Sequence, residues 1–191
     1  EYEEKILFCI SEVDRLNHMV DQLLLLARFE NQKQNVKQET IYLNALVLDN
    51  LTRFSEKSES KKLKIKTQFS EDYYLISDNY LVSIIISNLI SNAIKYSNPN
   101  GEIAIELGKT SDVVTFSITD YGVGIAKNDL DKIFNSFYRS DVSNHPEIKG
   151  TGLGLSIVKR LCDLLKLEIT VESKLNQGTK FVLNFPLSKL K

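Results

Sequence analysis

Residues 78–97 read DNYLVSIIISNLISNAIKYS, and this stretch decides the fold. Asp78 is a residue type that caps helix N-termini. The cluster Ser97-Asn98-Pro99-Asn100-Gly101 is turn chemistry that stops a helix. Between them the pattern is apolar on most sides, which predicts a buried helix running to about Tyr96. Asn88, Asn92 and Lys95 are spaced by four and three, so they share one face of it. Two carboxamides and an ammonium on such a helix are costly to bury unless something satisfies them. Amide oxygens are hard ligands suited to magnesium, and lysine is a point donor to phosphate, so a magnesium triphosphate fits the row. On this helix alone, polar groups turned to solvent are an equally open reading.

Upstream of the helix, residues 41–43 read as a short strand, followed by a helical pattern through Leu46, Leu48, Leu51 and Phe54 that ends near Lys61. Leu63 and Ile65 alternate with lysines as in a strand, and residues 73–76 are another candidate. Downstream, residues 103–107 and 113–119 alternate well across a short polar turn and predict a hairpin. Residues 126–149 hold two short helical patches without a sustained period. A helix from near Gly152 to near Leu165 follows, then a last hairpin from residues 167–171 and 180–185 around Asn176-Gln177-Gly178. Helices and hairpins in this order predict an α+β fold. It is a two-layer α/β sandwich with a mixed sheet of about five strands and about three helices on one face. The order does not fit the strict strand–helix alternation of a Rossmann-type sheet.

The first thirty residues obey a different period. Ile6, Val13, Val20 and Ala27 recur every seven, and Cys9, Leu16 and Leu23 form a second row three residues on. This is a heptad seam on one long helix preceding the sandwich, widened by Ile10 and Leu24 toward a bundle stripe. Such a stripe needs a partner helix, a partner subunit, or the face of its own globular domain. The polar run from Asn31 to Glu39 reads as a linker, dividing the chain into 1–32 and 33–191.

The 191 residues carry 24 basic and 25 acidic side chains, for a net charge of -1. That balance argues against a nucleic-acid partner and against a polybasic membrane patch. No apolar run reaches a membrane-spanning length. Cys9 and Cys162 lie far apart and read as reduced apolar fillers. The chain opens on Glu1 inside an apparent helix, which reads as a piece of a longer protein.

Two further motifs carry chemistry. Asp120-Tyr121-Gly122-Val123-Gly124 follows a strand. A carboxylate at a strand end can accept from the exocyclic amine of adenine and would oppose the carbonyl of guanine, at a cost of about 1–3 kcal/mol. By itself the run is a weak signal and reads more readily as a plain turn. Gly150-Thr151-Gly152-Leu153-Gly154-Leu155 leads into a helix and would offer backbone N–H groups to phosphate. It lacks the Gly-Lys-Ser/Thr of a P-loop, and a flexible hinge is its other reading.

Taken together, in this order, the motifs resemble the catalytic ATP-binding domain of bacterial sensor histidine kinases, within the superfamily of gyrase, MutL-type repair proteins and heat-shock chaperones. Asn88 to Ser97 resembles the family's N box, Asp120 to Gly124 the first G box, and Gly150 to Leu155 the second. Phe134, Phe137, Tyr138 and Arg139 resemble the F box, and Gly178-Thr179 a third G box. The likeness runs from about Gln38 to Leu187. It extends to the first helix, where Arg15-Leu16 through Arg28-Phe29-Glu30 is similar to the second helix of the dimerisation hairpin.

The resemblance implies roles for these residues. Asn92, assisted by Asn88, would hold magnesium. Lys95 would touch the phosphates, and Tyr96 would lie beside the nucleotide. Asp120 would bind the adenine amine with support from Thr179. Gly122, Gly124 and Ile125 would shape the base pocket. Gly150, Thr151, Gly152, Leu153, Gly154 and Leu155 would frame the triphosphate. Residues 126–149 would form a lid anchored by Phe134 and Phe137, and Arg139 would stabilise the transferring phosphoryl group. The catalytic set is therefore Asn88, Lys95 and Arg139, and the cofactors are ATP and magnesium.

The superfamily's ATPases usually carry a water-activating glutamate four residues before the metal-binding asparagine. Here that position is Asn88, a poor general base, which points to a kinase. The family's acceptor pattern, His-Glu/Asp-x-x-Thr/Asn-Pro, is matched by neither His18 nor His145. Both read as ordinary helix or loop residues, and the acceptor is expected on a helix before Glu1. The implied partners are that helix, a response-regulator receiver domain and a second copy in the full-length protein. The implied setting is a cytoplasmic domain of a parent anchored in the inner membrane. The alternative function is a non-catalytic nucleotide-binding interaction module or degenerate kinase.

Overall fold

The computed structural model describes residues 2–30, 36–140 and 150–187. His145 and the side chain of His18 lie outside the described residues. Helix α1 (Tyr2–Glu30) comes first, as the heptads require. Strand β1 (Glu39–Tyr42) pairs antiparallel with β3 (Tyr74–Ser77) in a small two-stranded sheet. The helical pattern expected to run to Lys61 is two helices, α2 (Leu43–Thr52) and α3 (Ser55–Ser60). The break falls where Phe54 N–H turns back to the Leu51 carbonyl and Ser55 Oγ donates to the Thr52 carbonyl, local bonds that compete with the helical ladder.

The main sheet has five strands in the order β2-β4-β5-β7-β6. They are β2 (Lys64–Phe69), β4 (Glu102–Lys109), β5 (Val113–Asp120), β6 (Glu168–Lys174) and β7 (Gly178–Pro186). β2 and β4 are parallel and every other neighbour pair is antiparallel, so the sheet is mixed as expected. Period-two alternation turns Ile103, Ile105 and Leu107 of β4, Val114, Phe116 and Ile118 of β5, and Phe181, Leu183 and Phe185 of β7 into the interior.

The central helix α4 (Asn79–Tyr96) and helix α5 (Gly154–Leu165) close that core, with α2 against α4. Asp78 caps α4, its side chain accepting from Leu81 N–H at 3.1 Å. Leu81, Val82, Ile85, Ile86, Leu89, Ile90, Ala93 and Ile94 are all buried. Each fully buried isoleucine or leucine contributes about 1.5–3 kcal/mol. The far end of α4 is held by Lys61, whose Nζ donates to the carbonyls of Ile94, Lys95 and Ser97 at 3.0, 2.8 and 3.0 Å. An ammonium at a helix C-terminus satisfies the last carbonyls and the dipole together.

Helix α1 touches α5 but does not bury its seam. Ile6, Val13, Leu16 and Val20 are 57%, 54%, 57% and 53% exposed. Packing on its own domain, one of the readings open from sequence, therefore does not cover this stripe. Cys9 is exposed and Cys162 is buried, its thiol pushed up to about 12 by burial first and by Asp163 second.

Candidate nucleotide site

The half-buried face of α4 opens on a cavity of about 340 Å³. Asn88, Asn92, Lys95 and Tyr96 line it from the helix, and Gly150, Thr151, Gly152, Gly154 and Leu155 from the loop that starts α5. Arg139 lines it from the segment after β5. Three sequence motifs, from Asn88 to Leu155, thus converge on one space.

Asn88 is oriented by the helix itself. Asn88 Nδ2 donates to the Ile84 carbonyl at 2.9 Å, which turns its Oδ1 outward. That oxygen lies 2.8 Å from where a Cβ at Gly154 would stand, so any other residue there would push the Asn88 carboxamide aside. Lys95 Nζ donates to Tyr96 Oη at 3.3 Å and stands 4.7 Å from the Tyr96 ring centroid. Burial first, then the like charges of Arg139 and Lys61, lowers the Lys95 ammonium from 10.5 to about 8. Two cations sharing one half-buried cavity repel each other, and an anionic ligand would relieve both.

The segment after β5 enters as a 3-10 turn at Lys127–Asp129. Ile133 is buried in the core and Phe134 packs against it. Phe137, expected as a second apolar anchor, is instead 61% exposed, with a left-handed backbone at φ 64°. Its anchor is the main chain, Phe137 N–H donating to the Gly152 carbonyl at 2.9 Å. Gly152 itself sits at φ 75°, with no room for a Cβ against the Phe137 backbone, which explains why α5 begins at Gly154 and not at Gly152.

Asp120, Gly122, Gly124, Ile125, Leu153 and Thr179 do not line this cavity. Asp120 and Thr179 are directly paired across β5 and β7 and are both buried. Burial pushes the Asp120 carboxyl up from 3.8 to about 6, held back by hydrogen bonds from the backbones of Gly122 and Thr179. The Gly122 N–H bond to Oδ1 measures 3.0 Å. The turn after Asp120 lies directly on the end of α4, Val123 N–H donating to the Tyr96 carbonyl at 3.1 Å. Leu153 is fully buried and belongs to the core.

Several residues of the site had no ligand role assigned to them from the sequence. Lys57, Ser91, Ile133 and Tyr138 also line the cavity. Ser91 shares the Asn88–Lys95 face and could have been read from it. Lys57 arrives from α3, which no local pattern places near α4. Ser173 ties the Asp120–Thr179 corner together: its Oγ accepts from Ile125 N–H at 2.8 Å, donates to the Gly178 carbonyl at 2.8 Å and meets Thr179 Oγ1 at 2.9 Å. With the Ser173 proton on that carbonyl, Thr179 is the donor of the last bond and keeps its lone pairs as acceptors. A second cleft, of about 740 Å³, is lined by Asp21 of α1, by Arg53, Tyr80 and Ser83, and again by Asn88.

Comparison with known proteins places this geometry. The family described as histidine kinase-, DNA gyrase B-, and HSP90-like ATPase matches residues 77–189. Sensor protein RprX of Bacteroides fragilis (strain YCH46) is 33% identical over 181 residues, covering 93% of this chain and 35% of that protein. The chain therefore spans about a third of that curated relative's length. The Acinetobacter baumannii histidine kinase AdeS superposes with a TM-score of 0.79 at 26% identity, over 94% of this chain and 82% of that one. Histidine kinase ThkA, solved in complex with the response regulator protein TrrA, shares the fold at a TM-score of 0.78 and 23% identity, over 100% of this chain and 52% of that one. The chain belongs to the histidine kinase-, DNA gyrase B-, and HSP90-like ATPase family, and within it to the catalytic ATP-binding domains of sensor histidine kinases.

Proposed function

We propose that this chain binds ATP with magnesium and transfers the γ-phosphate to a histidine on a helix outside it, for relay to an aspartate of a response regulator. The observation that carries the reading is the convergence of two asparagines, a lysine, an arginine and a glycine-rich loop on one cavity. The donor set fits magnesium: Asn88 turns an amide oxygen outward, and carboxamide oxygens are hard ligands that leave room for waters and phosphate. When bound, the ion would supply positive charge against the phosphates. Asn92 and Asn88 would hold it, Lys95 would grip the phosphates and Arg139 would meet the charge that develops on transfer. Asp120, with Thr179 beside it, would read the adenine amine.

Transfer is favoured over hydrolysis by Asn88. Its amide nitrogen is committed to a backbone carbonyl, and a carboxamide cannot take a proton from water. Asn88 also borders the cleft that faces α1, which supports delivery of the acceptor from that side. Helix α1, within residues 1–32, fits the second helix of a dimerisation hairpin because its exposed seam calls for another helix. The response regulator as partner follows by analogy with ThkA and TrrA. Pairing with a second copy and membrane anchorage of the parent belong to the same reading. Among the described residues no helix is long and apolar enough to cross a membrane.

Incubated with labelled ATP and magnesium, the chain alone is expected to stay unlabelled. It should pass label to a histidine-bearing hairpin helix from the same protein supplied in trans. Acid-labile, base-stable label on His18 of this chain, or none on the added helix despite bound nucleotide, contradicts the proposal.

A further inference from the structure

Arg139 lines the same cavity as Lys95, and the two like charges repel. The residues on either side of Arg139 are tied to one carboxylate. Tyr138 Oη donates to Asp129 Oδ1 at 2.6 Å and Ser140 Oγ donates to Asp129 Oδ2 at 2.7 Å. Both are short, charge-assisted bonds, and they hold Asp129 below the usual carboxylate range. One residue earlier, Phe137 is pinned by its N–H to Gly152 in a left-handed conformation. The chain from 137 to 140 is thus fixed at three points around Arg139: to the glycine loop by Phe137, and to the 3-10 turn by Tyr138 and Ser140.

We propose that Asp129 is a positioning residue for the phosphoryl-transfer site: by bracing Tyr138 and Ser140 it aims Arg139 at the terminal phosphate and so sets the preference for a nucleoside triphosphate over a diphosphate. An unbraced arginine pays side-chain and backbone ordering on binding, whereas a braced one does not. The inference rests on the nucleotide reading above and adds to it a residue that touches no ligand.

The test is calorimetry on this chain with magnesium, comparing a non-hydrolysable ATP analogue with ADP. Asp129→Ala is expected to weaken the triphosphate analogue about tenfold, the worth of one charge-assisted contact, and to leave ADP within about twofold. In an Arg139→Ala background the same change should have no further effect, because the brace acts only through that arginine. Tyr138→Phe and Ser140→Ala each remove one bond and keep the carboxylate, and each should give a smaller loss of the same kind. They decide the question if Asp129→Ala does not fold. Equal weakening of both nucleotides, an unchanged ratio, or additivity with Arg139→Ala overturns the inference. If the unaltered chain binds neither nucleotide, it is the nucleotide reading that fails.

Discussion

Helix α1 carries its apolar rows into solvent, with Ile6, Val13, Leu16 and Val20 all more than half exposed, whereas helix α4 carries Asn88, Asn92 and Lys95 into a half-buried cavity beneath the domain's glycine loop. Each helix breaks the ordinary partition of apolar inside and polar outside, in opposite directions. An exposed apolar seam is unfavourable for the isolated chain and is relieved by another apolar surface. A polar row on a core helix is unfavourable for the empty fold and is relieved by a charged ligand. The difference fits the roles proposed above: α1 would meet a macromolecular partner, and α4 a small anion with its cation.

That contrast can be broken most severely at the turn that packs on the end of α4. Gly122→Ala would drive a Cβ into the Tyr96 carbonyl and its backbone. Neither can yield cheaply, so urea unfolding should report a loss of about 3 kcal/mol, with nucleotide affinity lost alongside. Asn92→Leu separates fold from ligand. It should leave the thermal midpoint equal or higher while magnesium-dependent nucleotide affinity falls about a hundredfold, because the amide serves the ligand and not the core. A lowered midpoint with affinity retained would assign Asn92 to the fold instead. Lys61→Met removes the ammonium from three carbonyls at the end of α4 and should cost about 1–2 kcal/mol in urea unfolding.

Acidity gives a smaller effect with a definite shape. Lys95 loses its proton near 8 and Asp120 gains one near 6, so nucleotide affinity should be greatest between those values and decline on both sides. The signs for the ligand-free fold run the other way. Between about 8 and 10.5 the unfolded chain holds the Lys95 proton that the folded one has released, so stability rises with pH there. Between 3.8 and about 6 the folded chain holds an Asp120 proton that the unfolded one has lost, so stability falls as pH rises. A flat affinity profile from pH 5 to pH 9 would remove both groups from the site. The smallest change is expected from the seam: Val13→Glu with Val20→Glu should abolish any self-association seen by sedimentation and leave nucleotide affinity within about twofold, as distant sites act independently.

Much of this was legible in the chain because its signals are local. Helix α4 begins and ends where Asp78 and the Ser97-Asn98-Pro99 turn say it should, and both antiparallel hairpins fall on their alternating runs. The face shared by Asn88, Asn92 and Lys95 follows from helical spacing alone. What stayed hidden depends on partners distant in sequence. The parallel pairing of β2 with β4 cannot be read from either strand, since alternation states which face is inward and not which neighbour lies alongside. The α2–α3 break rests on Phe54 and Ser55 bonding backward, which a run of helix-forming residues conceals. The resemblance implied an apolar anchor at Phe137, yet its backbone does the anchoring. Lys57, Lys61, Asp129 and Ser173 enter the site region through bonds or proximity that only the assembled sheet and helices create.

The claim on which the account turns is that the α4 cavity takes a magnesium–adenine nucleotide. Titration of the folded chain with a non-hydrolysable ATP analogue, with magnesium and then with the metal chelated, addresses it directly. The account predicts saturable binding at one site, weakened about tenfold or more by chelation and by Asp120→Asn. Folded protein that gives no heat at any nucleotide concentration, or that binds equally well with Asp120 replaced and magnesium removed, contradicts it.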